Sequence, residues 1–192
     1  ILSNSKNDPN YYKINKRILT SLSAFTLNSI AIIGIIANNI KETQLALNIW
    51  TANTRLAAFV GDTNLYAVSQ KQCLALINEM DDSETLKIRF NISERLGKLL
   101  ANANPDEAME YLPDAISNAQ GIGDTPKEIE LLSYLSSCCR QTGNYFGEVE
   151  CVDKVLDKAN PENKLEIALL KCTKLGALLN ICLLYTSDAA DE

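Results

Sequence analysis

The sequence contains no histidine. The commonest general base and the commonest metal ligand are therefore missing, and no Cys–His or Ser–His pair can form. There is no C-x-x-C, so its cysteines lack the spacing of a zinc site. There is no G-x-x-x-x-G-K-[ST] loop to cradle nucleotide phosphates. Asp81, Asp82 and Glu84 cluster at a helix start, without the glycine and oxygen spacing of a calcium loop. No enzyme, cofactor or metal site is expected. Glycine (8), proline (5) and aromatics (6%) are also scarce among the 192 residues, and no segment sustains period-two alternation. Both features point away from sheet and toward packed helices.

Charge is unevenly spread. Residues 1–60 carry six basic and two acidic side chains, and residues 61–181 carry 12 basic and 19 acidic ones. An acidic body disfavours broad phosphate contact, so no nucleic-acid partner is expected. The basic stretch "YYKINKR" at 11–17 reads as a solvated face or a contact for an anionic partner. Cys73, Cys138, Cys139, Cys151 and Cys172 sit in apolar helical patterns. They read as buried free thiols of a reducing compartment, so a cytoplasmic location is expected. The apolar run at 21–37 is interrupted by Ser21, Ser23, Thr26, Asn28 and Ser29. A membrane span needs about 20 predominantly apolar residues, so a buried helix and no membrane contact are expected there, with a transmembrane helix at 21–37 as the weaker alternative.

The ends read differently from the body. Residues 1–18 are expected to be the flank of a truncated chain. "CLLYTSDAADE" at 182–192 resembles the translation of a transposon-type sequencing adapter. It is expected to be a non-native tail that breaks the helical pattern and packs against nothing.

Between these ends the punctuation is helical. Asp62, Ser83, Asn104, Thr125 and Asn160 are cap-type residues, three of them followed by proline. Glu107 and Glu128 follow three residues after two of them, as in a capping box. Gly61 and Gly143 mark helix ends, and "GIGD" at 121–124 reads as a turn. Eight helices are expected, near 19–38, 41–60, 63–80, 84–102, 105–119, 126–142, 145–158 and 161–181. Pro113 is expected to kink the fifth.

The helices recur in pairs. Leu56-Ala57, Leu96-Gly97, Leu135-Ser136 and Leu175-Gly176 each join a leucine to a small residue, about 40 residues apart. Ile35-Ile36, Ala75-Leu76, Ala115-Ile116 and Val155-Leu156 keep the same period on the partner helices. The small residue lets the second helix approach, and the leucine fills the groove beside it. Hairpins that are apolar on both sides bury themselves by stacking. The expected domain is 19–181, about four hairpins.

"LGKLL" at 96–100 and "EAMEYLPDAI" at 107–116 resemble the L-G-x-x-Y and E-A elements of the tetratricopeptide repeat family. Glu148 departs from that pattern, standing where a small alanine is usual. The resemblance implies an all-α, right-handed solenoid of antiparallel helix hairpins whose first helices line a protein- or peptide-binding face. It places Thr54, Glu94, Ser133 and Thr173 on that face, then Ala58, Lys98, Ser137 and Ala177, with Asn102, Arg140, Gln141 and Asn180 beside them. The candidate groove is Glu94, Lys98, Asn102, Ser133, Ser137, Arg140, Gln141 and Asn180. Lys98 and Arg140 are its cations, expected to anchor an acidic side chain. The long period also resembles the sensor arms of bacterial signal-transducing ATPases. The alternative expectation is therefore a regulatory arm of a multidomain ATPase or transcriptional regulator.

Overall fold

The computed structural model describes residue 26 and residues 28–39, 42–78 and 83–188. The basic stretch at 11–17 and the flank at 1–18 lie outside the described residues. Every regular element described is a helix: α1 (Asn28–Asn39), then α2 (Thr43–Val60), α3 (Thr63–Asn78), α4 (Ser83–Leu100), α5 (Pro105–Ile122), α6 (Thr125–Gln141), α7 (Tyr145–Leu156) and α8 (Lys164–Asp188). The chain is all-α.

A two-residue device makes three of the turns. Gly61, Gly123 and Gly143 take left-handed φ angles of 81°, 73° and 76°, a conformation in which a Cβ would be strained. An Asx residue follows each glycine. Asp62, Asp124 and Asn144 accept the backbone N–H three residues on, at 2.9, 3.2 and 3.0 Å. Asn104 does the same for Glu107 and donates its amide to the Glu107 carboxylate at 3.0 Å. Caps at 104, 124 and 144 therefore recur once per helix.

Several boundaries differ from the sequence reading. Asp124, not Thr125, caps α6, because the left-handed Gly123 aims the next residue's side chain at the helix. Gly121 belongs to α5, which runs unbroken through Pro113 to Ile122. Asn160 makes a tight turn with the Glu162 N–H at 3.0 Å. Asn163 caps α8 instead, exchanging bonds with Glu166. α8 does not stop at Ile181 but continues to Asp188. Cys182 and the two leucines after it extend a helical run without a breaker, and Leu183 and Leu184 lie exposed.

The chain forms two compact units, residues 1–85 and 86–192. In the first, α2 packs on α3, and Trp50 is buried with Ala46, Ala57 and Ile77. A Cβ added at Gly34 of α1 would lie 2.7 Å from the Trp50 ring, so this glycine permits the indole to seat. Asn53, fully buried, donates to Ser69 Oγ at 3.0 Å.

In the second unit α5 packs on α6, α6 on α7 and α7 on α8. Leu96, Leu112, Ala119, Leu131, Leu132 and Val152 form its interior. Helices two apart also meet. Gln141 Nε2 at 3.3 Å and Cys138 Sγ at 3.8 Å both donate to the Ala101 carbonyl just beyond α4.

The leucine–small pair behaves as read at one position. Leu96 is fully buried, and a Cβ at Gly97 would lie 2.6 Å from Leu112 Cδ2. It fails at Leu175-Gly176. Leu175 and Leu179 are exposed, and a Cβ at Gly176 would meet nothing within 4 Å. These residues occupy an outward side of α8 that no described helix covers. Leu56 is exposed as well. By length and composition, α8 is apolar enough over Lys164–Leu184 to cross a membrane, and α1 is a shorter apolar helix. The apolar run at 21–37 is described only in part, and there Ile32, Ile33, Ile35 and Ile36 lie exposed while Gly34 and Ala37 are buried, so the burial expected of this helix is not found among its described residues.

Gly97→Ala is therefore expected to destabilise the protein by about 1–3 kcal/mol, because fully buried Leu112 has nowhere to move. Gly176→Ala is expected to be neutral or to stabilise by up to about 1 kcal/mol, since alanine is the better helix former. Urea unfolding of the two variants separates these outcomes, and equal losses would contradict the packing described.

Candidate functional site

α6 supplies the backbone of the candidate site. Ser133 and Ser137 lie one helical turn apart on its exposed side. A pocket opens on either flank of this ridge. The larger, about 370 Å³, is lined by Asn102, Glu130, Ser133, Tyr134 and Ser137. The smaller, about 170 Å³, has Val152, Val155 and Leu170 as its apolar lining. Its polar lining is Ser133, Ser136, Ser137, Arg140 and Thr173. The two serines belong to both pockets, so the pockets adjoin.

Four of the eight sequence-derived candidates line these pockets: Asn102, Ser133, Ser137 and Arg140. Gln141 borders them and is already bonded, to the Ala101 and Ser137 carbonyls and to Ser137 Oγ. Asn180, half-buried on α8, lines neither pocket. Thr54 and Ala177, placed on the open face by the register, are buried.

Lys98 and Glu94 form an ion network at the edge of the larger pocket. Lys98 Nζ lies 2.9 Å from Glu94 Oε1 and 2.8 Å from Glu130 Oε2, with the Tyr134 ring centroid at 5.9 Å. Lys127 reaches the other Glu94 oxygen at 3.2 Å. Burial pushes the Glu94 carboxyl upward, but hydrogen bonds from Lys98 and Lys127 outweigh it and hold the group below its ordinary range. Burial pulls Lys98 down, and its bonds to Glu130 and Glu94 outweigh that and raise it. Lys98 is thus a neutralised cation.

Arg140 is neutralised too. Its Nε and one terminal nitrogen donate to Glu148 Oε1 at 2.7 and 2.6 Å. The sequence reading treated these two cations as free anchors for an acidic ligand. The structure pairs both internally, which revises that part of the expectation.

Sequence reasoning missed two buried carboxylates. Glu128 and Glu148 each occupy the fourth position of their helix, and both are buried. Each is met by a side chain from the last turn of the preceding helix. Gln120 Nε2 donates to Glu128 at 2.6 Å, and Arg140 donates to Glu148. Lys158 adds an ion pair to Glu128 at 3.0 Å. Burial would raise Glu128, but the bonds from Gln120 and Lys158 outweigh it and lower its pKa. The signal in the sequence is the pair of donor–acid spacings, 120/128 and 140/148, offset by one helix repeat. Glu128 is therefore not the capping-box acid that the motif suggested.

Cys73, Cys138, Cys139 and Cys151 are buried free thiols, as read. Cys172 is exposed, because it faces outward on α8. Among the described residues, no three His, Cys, Asp or Glu side chains are grouped to hold a metal ion. Compared with known proteins, the sequence matches no family model and no curated protein.

The depressed carboxyls set a pH dependence. A group whose folded pKa lies below its unfolded value stabilises the fold above the unfolded pKa. That contribution is lost as pH falls through the folded value. Glu128→Gln is therefore expected to be most damaging at pH 7, with its deficit against the wild type shrinking toward pH 3. Urea midpoints at both pH values check this, and a deficit of constant size would contradict it.

Proposed function

We propose that the chain is a tetratricopeptide-like helical-repeat scaffold, a right-handed solenoid with a period near 40 residues, that binds a protein or peptide segment along α6. One observation carries the reading: two adjoining pockets share the Ser133–Ser137 ridge. Small-molecule sites usually measure about 300–1,000 Å³. The smaller pocket falls below that range and the larger near its floor. Such volumes suit individual side chains of an extended segment, whose same-side residues recur about every 6.6–6.8 Å. The hydroxyls and amides of the rim suit its main-chain groups.

The once-per-helix caps and the bonds from α6 to Ala101 support a repeating stack. With Lys98 and Arg140 neutralised internally, recognition rests on shape and hydrogen bonding more than on net charge. The buried thiols support a cytoplasmic setting, and the acidic body argues against nucleic acid. A sensory arm in a larger regulator would use the same groove.

Peptides selected from a random displayed library against the wild-type protein test this. Ser133→Trp and Ser137→Trp fill the pockets and are expected to weaken binding at least about tenfold, or about 1.4 kcal/mol, with helicity by circular dichroism unchanged. Replacing Lys13, Lys16 and Arg17 by alanine is expected to leave binding intact. The reverse pattern would move the contact surface to residues 11–17.

A further inference from the structure

The last helix carries two stripes. Ile167, Leu170, Lys174, Ala177 and Ile181 form one, buried or half-buried, and it seats α8 on α7. Lys174 Nζ holds both oxygens of Asp153 on α7, at 2.6 and 2.7 Å. The other stripe, Leu165, Leu169, Cys172, Gly176, Leu179 and Leu183, is exposed throughout. Its four leucines are 56–72% exposed. Steps along it alternate four and three residues, which is the a/d seam of a coiled coil and narrower than the apolar face of an ordinary surface helix. No described helix covers it. α8 is long and apolar enough to cross a membrane. Lys171, Lys174 and Asn180 lie along it, however, and spanning would bury them and undock the helix from α7.

We propose that the outer stripe of α8 pairs antiparallel with the same stripe of a second copy of this chain, making a two-fold symmetric dimer. The inference stands independently of the groove's ligand. The seam reads the same from both ends. With two copies opposed, Leu169 meets Leu179, Cys172 meets Gly176 and Leu165 meets Leu183. An a position then faces a d position at every level, leucine is set against leucine, and small is set against small. The first two pairings lie wholly before residue 182. A Cβ added at Gly176 would meet nothing within 4 Å, so the middle of the seam is a notch where the two backbones approach. Leu175, 58% exposed on the flank, lies beside the symmetry axis and meets its own copy. Covering these five leucines on both copies removes on the order of 1,000 Å² from water, about the least that a specific interface needs. Glu166, Thr173 and Asn180 border one edge and Ala168, Leu175 and Cys182 the other, so no like charges oppose each other across the seam. Opposed helix dipoles, and Lys164 of each copy kept at opposite ends, favour this direction over parallel pairing. None of the six stripe residues lines either pocket, so the dimer presents two open grooves.

Sedimentation equilibrium of the full chain under reducing conditions, at concentrations reaching the high-micromolar range, is expected to show monomer and dimer. Leu169→Glu and Leu179→Lys are each expected to weaken the dimer at least about tenfold, with helicity by circular dichroism unchanged, because both side chains face solvent in the monomer. The two changes in one chain are expected to restore the dimer. Opposite charges then meet across an antiparallel seam, whereas a parallel seam would set like against like. In a Cys182→Ser background, Gly176→Cys is expected to give, on oxidation, a dimer joined from Cys172 of one copy to the introduced thiol of the other. A wild-type chain that stays monomeric throughout would overturn the proposal, as would a double variant no tighter than the single ones. Binding of the monomer to phosphatidylcholine–phosphatidylglycerol vesicles without self-association would overturn it too, in favour of a lipid surface. The wild-type measurement decides the matter even if a variant folds poorly.

Discussion

Burying an ionised carboxylate is costly unless it is paired and hydrogen-bonded, and the α5–α6–α7 segment buries two. Glu128 and Glu148 sit in the first turns of their helices, where the helix dipole favours negative charge. Each also takes bonds from a side chain on the far side of a turn: Gln120 for the first, Arg140 for the second. These bonds clip the end of one helix to the start of the next. The left-handed glycine and Asx cap set the local turn, and the buried acid joins the two helices it connects. The direction of α6 is set at both of its ends in this way, and with it the Ser133–Ser137 ridge.

The position is instructive across helices. Its counterpart in α5 is Ala108, fully buried and small. Where α5 packs with an alanine, α6 and α7 pack with a carboxylate and a bonded partner. The partner is then withdrawn from other work. Arg140 belongs to the pocket wall, yet its charge is balanced by Glu148. Lys98 is held likewise by Glu94 and Glu130. On the proposed reading, a groove built from neutralised ions would discriminate by shape and by hydrogen bonding. The internal pairing of both cations removes the reason for expecting an acidic ligand.

Helix content was readable because capping and turn chemistry are local. Asn104 before Pro105 and Gly143 before Asn144 do in three dimensions what their residue types imply. Gly97 was readable because its partner Leu112 lies in the adjoining helix, a short distance along the chain. Leu175, Gly176 and Cys172 repeat the same pattern, but burial needs a neighbour, and a repeat in sequence does not supply one. Asp124 and Thr125 are both cap-type residues, and the φ of Gly123 chooses between them. The pairing of Lys98 with Glu130 joins residues from different helices, so no local pattern announces it.

If the buried carboxylates hold the hairpins together, the two members of a pair must be strongly coupled. A double-mutant cycle on Arg140 and Glu148, read by urea unfolding, measures that coupling. Arg140→Leu alone is expected to cost about 1–3 kcal/mol by leaving the buried Glu148 without its donor, Arg140 itself being largely exposed. Adding Glu148→Leu is expected to restore most of that loss, since the buried acceptor left without a partner is then gone. Losses that simply add, or a single Arg140→Leu variant as stable as the wild type, would contradict the account.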